Sequence, residues 1–208
     1  MIKIDLPLDD ATILKLKVGD LVGINGIMVT GRDAAHKWMV DTFIKKLRLP
    51  QEDDLEVYES LKKILKGGMI YHCGPVVSGL EDRNYRFVAA GPTTSIREEP
   101  YQGQVMRHFK LQGVIGKGGM GPLTLAACRE VPGLYLHAIG GAASLIAQTV
   151  TRVMGVHKLE FGIPEAMWVI EVKDFPSVVT MDAHGNSLHA QIESQSKAKL
   201  DQLLAKTA

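Results

Sequence analysis

Apolar and polar positions alternate at the start of the chain, in MIKIDLPL, and ILKLKVGDLVGINGIMVTG then runs apolar and β-branched between glycines. Both stretches predict strands, two or three in all. The period then lengthens. Val40, Phe43, Ile44 and Leu47 fall at i, i+3, i+4 and i+7, one apolar helical face, with Asp33 available to its first turn and Pro50 as its break. From Asp53 a second amphipathic helix sets Val57, Leu61, Ile64 and Leu65 on one side, ends at Gly67-Gly68, and reads as a surface excursion. MIYHCGPVV predicts a short strand closed by Gly74-Pro75, and SGLEDRNYRFVAAGP a polar loop. Thr93-Thr94-Ser95 sits where a helix would begin, offering N-cap acceptors beside free backbone N–H groups. GPLTLAACRE reads as a helix, GLYLHAIGG as a buried strand and AASLIAQTVTRVMG as another helix. MWVIEVKDFPSVVTMDAHGNSLHAQ predicts two strands joined at Asp174-Phe175-Pro176 and closed by the turn His184-Gly185-Asn186. A polar helix or tail over 193–208 ends the chain. The strand–Gly-Gly–helix unit points to the α/β class, and without repeat or linker the expectation is one domain over 1–208.

Charge narrows the partners. Lys and Arg number 24 against 23 Asp and Glu, a formal net charge of +1, so no global field draws in nucleic acid or an anionic membrane and any anion site must be local. The opening residues lack the apolar stretch of a secretory signal, and no run approaches the ~18 apolar residues of a spanning helix, so a cytoplasmic address is expected. The two cysteines, Cys73 and Cys128, belong to no CxxC or His/Cys cluster and read as small buried hydrophobes. This chain alone supplies no thiolate set for an iron–sulfur cluster or a structural zinc, and its seven histidines lack metal-ligand spacing.

Three cations each follow or sit within a glycine-bearing turn: Arg32 in TGRDAAH, Arg97 after the hydroxyl row, and Lys117 in IGKGG. A guanidinium grips a carboxylate with two parallel N–H groups, a lysine adds a point charge, and a helix start favours the same anion. Two arginines and a lysine suit a small dicarboxylate. The plainer reading is three solvated charges and an ordinary helix cap. GKGGMG is not a phosphate-binding Walker sequence, and Ser144 in GGAASLIA lacks the nucleophile elbow G-x-S-x-G.

In combination and in order, VTGRDAAHKW, IYHCGP, GPTTSIR, GVIGKGGM, GLYLHAIGGAASLIA and WVIEVKDFPSVVTMDAHGN resemble the β subunit, or carboxy-terminal domain, of the class I iron–sulfur hydro-lyases. This is the family of the oxygen-sensitive fumarate hydratases and L(+)-tartrate dehydratases. The resemblance spans about residues 15 to 190 and implies a swivelling β/β/α fold, a mixed sheet with flanking helices. It also implies a [4Fe–4S] cluster held by a partner α subunit, none bound by this chain, an α2β2 assembly, and an isolated chain without activity. Residue by residue, Arg32, Arg97 and Lys117 match the family's substrate-contacting cations. Thr93 matches its catalytic base, with a hydrogen bond to substrate as the alternative role. Asp33, His36 and Thr94 match positions behind them. Glu98 and Glu99 depart from the pattern, since methionine commonly follows the arginine; a carboxylate there weakens the clamp or points to solvent. Reversible hydration of fumarate to (S)-malate is the activity implied first. Alternatives are L(+)-tartrate dehydration and a non-catalytic anion-binding module.

Overall fold

The computed structural model describes residues 1–205. Nine strands form: β1 (Ile2–Asp5), β2 (Leu21–Thr30), β3 (Met69–Tyr71), β4 (Val76–Ser78), β5 (Arg86–Ala89), β6 (Gly113–Gly116), β7 (Leu134–His137), β8 (Val150–His157) and β9 (Met167–Met181). The helices are α1 (Asp10–Ile13), α2 (Asp33–Met39), α3 (Asp54–Leu65), α4 (Glu99–Phe109), α5 (Pro122–Glu130), α6 (Ala143–Ala147) and α7 (Leu188–Leu204).

Seven strands make one mixed sheet in the order β1-β2-β3-β6-β7-β9-β8, and a second pairing of β2 with β9 closes five of them into a ring. β2, β3, β6 and β7 run parallel, and β9 runs antiparallel to both β2 and β7. Closure follows from the length of β2 and β9, each of which carries two neighbours on one edge at different heights. Side-chain alternation then sorts the core. Val22, Ile24, Met28, Met69, Tyr71, Ile115, Leu134 and Leu136 fill the ring, while the intervening Val29, Ile70, Val114 and Tyr135 face α2 to α5. The mixed sheet flanked by helices agrees with the fold expected from the sequence.

Several local expectations do not hold. Residues 167–181 form one strand, not two. Asp174, at φ 52°, is the extra residue of a β-bulge opposite Ile24 and Gly26, and it shifts the inward-facing set from Trp168, Ile170 and Val172 to Phe175 and Val179. AASLIAQTVTRVMG splits into the short α6 and strand β8, because Val150 and Val153 pair with β9. ILKLK forms no strand; Ile13 ends α1. The polar loop after Gly74 is the hairpin β4–β5, in which Tyr85 and Phe87 pack edge-on against Trp168. Leu47 is 70% exposed, since the chain past α2 widens into a π-helical turn, Val40–Ile44, and leaves the predicted face. α3 is no mere excursion: Val57, Leu61 and Leu65 are buried in the helix-side core. The polar end of the chain is α7, with no buried residue; the 206–208 part of the predicted tail lies outside the described residues.

Candidate active site

Parallel strands end at one rim of the ring, the position from which α/β sheets present ligand-binding loops. Arg32 follows β2 and is the N-cap residue of α2; Lys117 follows β6 directly. Between the splaying ends of β3 and β6 the segment Thr93–Ser95 is wedged by three backbone hydrogen bonds. Thr93 N donates to His72 O (2.7 Å), Lys117 N to Thr93 O (3.2 Å) and Ser95 N to Lys117 O (3.0 Å). Gly116 makes room for it, since a Cβ at that position would overlap Ser95 Oγ. The threonine row therefore does not cap by side chain. Thr94 is exposed and precedes the 3₁₀ turn Ser95–Glu98 without a side-chain bond to it.

This wedge brings the predicted residues together. Arg97 Nη2 donates to Thr93 Oγ1 at 3.0 Å and pairs with Asp33 Oδ2 at 3.2 Å, with the Arg97 and Asp33 side chains 47% and 42% exposed. Asp33 neighbours Arg32 in the first turn of α2, so both arginines stand at one helix start. Lys117 Nζ has no ion pair or hydrogen bond among the described residues, and neither do Arg32 Nη1 and Nη2. Arg32 Nε lies 3.3 Å from Glu165 Oε1, close enough for an ion pair although the N–H is not aimed as a hydrogen bond requires.

Beneath the rim lies a buried polar network in which His36 is one member. His36 Nδ1 is 2.9 Å from Arg32 O, and His36 and His72 each bring Nε2 to 2.9 Å from Gln102 Oε1. Burial holds both imidazoles below their ordinary pKa, so both are neutral. Both imidazoles converge on the one oxygen Gln102 Oε1, while Gln102 Nε2 is buried without a hydrogen-bond partner. His72 Nε2 donates to that oxygen, so its Nδ1 accepts from the Ser95 hydroxyl at 2.8 Å, and Ser95 Oγ in turn accepts from Tyr135 OH at 3.0 Å. The network fixes the carbonyl of Arg32 and the side chain of Ser95, the two ends from which the rim hangs.

The two glutamates after Arg97 do neither thing expected of them. Glu99 turns away and caps α5: its carboxylate accepts from Gly121 N (2.9 Å), Leu123 N (2.7 Å), Thr124 N (3.2 Å) and Thr124 Oγ1 (2.6 Å). Glu98 is fully buried, and neither carboxyl oxygen has a hydrogen-bond partner. Burial, reinforced by the Asp33 charge and opposed by Arg97 and Arg32, pushes its pKa up to about 7. Below that pH Glu98 is uncharged and takes little from the cations. Glu165 and the Gln102 link are site neighbours that sequence reasoning missed, and the burial of Glu98 is a feature it did not foresee. His72 stands in the quoted IYHCGP, but nothing local marks its role.

An iron–sulfur cluster does not fit the residues of this chain. Cys73 sits in the ring core and Cys128 in the helix-side core, both free and buried, and burial raises each thiol to about 12. Among the described residues no three His, Cys, Asp or Glu side chains are grouped to hold a metal. None of their helices is long and apolar enough to cross a membrane.

Comparison with known proteins gives the family. Residues 1–192 match the family described as Fumarase C-terminus. A protein of Geobacillus stearothermophilus named "Putative fumarate hydratase class I" is 52% identical over 202 residues, 97% of this chain; the chain spans only 36% of that relative's length. A "Putative L(+)-tartrate dehydratase subunit beta" of Methanocaldococcus jannaschii is 36% identical, with 91% of this chain and 92% of the relative covered. The L(+)-tartrate dehydratase subunit beta of Escherichia coli K12 is 35% identical over 89% of this chain and 85% of its own. With the match running from the first strand to the start of the last helix, the chain belongs to the fumarase C-terminus family, alongside β subunits of L(+)-tartrate dehydratases.

Proposed function

We propose that this chain works as a single unit, the β part of a hydro-lyase that adds water reversibly across the double bond of fumarate to give (S)-malate. One observation carries the reading: Arg97 donates to Thr93 Oγ1, while Lys117 Nζ and the Nη groups of Arg32 stand without partners among the described residues. Unpaired cations held around a hydroxyl are what a dianionic substrate needs. Arg32, Arg97 and Lys117 bind and orient the carboxylates. Asp33 holds Arg97 until an anion arrives. Thr93 exchanges a proton with carbon, and the adjacent guanidinium favours its deprotonated form. Thr94, His36 and the groups behind them keep that geometry.

The rest of the site belongs to a partner α part, which in this reading carries the [4Fe–4S] cluster that the present chain has no ligands for. The working form is a cytoplasmic α2β2 assembly, and the isolated chain is inactive. The identity of 52% to the fumarate hydratase relative, against 36% and 35% to the tartrate dehydratase subunits, favours fumarate. L(+)-tartrate is the second reading, supported by relatives matched over nearly their whole length. Anaerobic ultraviolet detection of fumarate consumption, by this chain combined with its cluster-bearing partner, tests the proposal with L-tartrate run in parallel. Turnover of fumarate requiring both parts supports it, turnover of tartrate alone changes the substrate, and turnover of neither leaves an anion-binding module.

A further inference from the structure

We infer that Glu165 is a positioning residue that sets the guanidinium of Arg32 end-on toward a carboxylate; this rests on the reading of Arg32 as a substrate contact. Glu165 lies between the Leu159–Phe161 turn and β9, 131 residues along the chain from Ala34, and its two oxygens divide their work. Oε2 accepts from Ala34 N at 3.1 Å, in the first turn of α2, and Oε1 faces Arg32 Nε at 3.3 Å. The two side chains are only 21% and 24% exposed, so the pair is less screened by water than the open Arg97–Asp33 pair.

Gly74 borders the same guanidinium at Nη1. A Cβ there would overlap Arg32 Nη1 and press on Pro164, so the guanidinium passes where only glycine leaves space. With the Nε edge turned toward Glu165 in an ion pair and buried, the edge left to a ligand is the Nη1/Nη2 fork, which matches two carboxylate oxygens. The loop bearing Glu165 is itself anchored, because Lys158 at its start pairs with the buried Asp54 at 2.8 Å. Glu165 thus couples a strand-preceding loop to the cation at the far end of β2.

The test uses the assembled enzyme with its cluster-bearing partner and compares Glu165→Gln, Glu165→Asp and Arg32→Ala. Steady-state kinetics with fumarate and with L-tartrate are read beside calorimetric binding of succinate and the melting temperature. Glutamine keeps an acceptor for Ala34 N but turns an NH2 group toward Arg32. Its expected effect is a rise of ~10-fold in KM and in the succinate Kd, with kcat within ~3-fold and the melting temperature held. Aspartate keeps the charge and should recover most of the loss. Should either variant fail to fold, Gly74→Ala crowds the same guanidinium at Nη1 and is expected to raise KM alike. Unchanged KM and Kd in Glu165→Gln, beside a large rise in Arg32→Ala, would overturn the inference while sparing the Arg32 reading. Unchanged values in both variants would overturn both. A lower melting temperature with unchanged Kd would reduce Glu165 to a helix cap and overturn the inference.

Discussion

Arg97 Nη2 and Thr93 Oγ1 are 3.0 Å apart, joined by a hydrogen bond that spans one turn of chain and points a cation at a hydroxyl. The same nitrogen reaches Asp33, so the guanidinium is shared between a group that stays and an acid half open to water. In the proposed reaction an incoming carboxylate competes with Asp33 for that guanidinium.

If Thr93 is the base of the proposed reaction, replacing it by valine should lower kcat by ~10³-fold or more in the assembled enzyme, with the substrate Kd moved far less. Stopped-flow measurement of fumarate hydration checks this. A Thr93→Val enzyme with parent kcat would remove threonine from the reaction.

Arg97→Lys keeps the charge but loses the planar fork and the bond to Thr93. The expected result is a fall of ~10²-fold in kcat/KM, whereas Asp33→Asn, which frees Arg97, should shift KM by no more than ~3-fold because the pair is exposed. A larger effect at Asp33 than at Arg97 would reverse the assigned roles.

Glu99→Ala removes all four acceptor contacts at the start of α5 and leaves its N–H groups unmatched. About 2 kcal/mol of stability should be lost in urea unfolding, and Glu99→Gln should recover part of it. Loss of activity in step with stability, and not beyond it, is expected.

Glu98 supplies a pH signature. Its folded pKa of about 7 stands above the ordinary 4.5, so between those values the unfolded chain has released a proton that the folded chain keeps. Stability is full below 4.5 and falls as pH rises through 7, by at most about 3 kcal/mol. Glu98→Gln should flatten that slope and unfold at higher urea than the parent at pH 8. A parent profile that rises between pH 5 and 7.5 and is unchanged by Glu98→Gln would contradict the buried acid.

The cations were legible because glycine turns set them apart: TGRDAAH and IGKGG each place a charge where a strand has just ended. Their partners were not. Glu165 meets Arg32 from the opposite end of the sequence, and nothing in GIPEAMW marks a carboxylate that faces an arginine. Glu99 lies 22 residues from the helix it caps, so the pattern of acid before helix could only assign it to its own. The misread segments have a shared cause. In AASLIAQTVTRVMG the apolar spacing suits either a helix or a strand, and the β-branched residues follow the available edge of β9. At Asp174-Phe175-Pro176 the signs of a turn are genuine but are spent on a bulge inside a continuous strand.

The β2–β9 seam has a bearing on when the rim can exist. Val29 pairs with Val169 about 140 residues later, a loop whose closure costs entropy before any packing is gained. During synthesis Arg32, Thr93, Arg97 and Lys117 have all emerged before β9, yet Arg32 meets Glu165 only as that strand arrives. A nascent chain stopped short of residue 165 therefore holds every cation of the clamp and lacks the carboxylate that aims one of them. Anion affinity should rise late in folding, as β9 seals the ring.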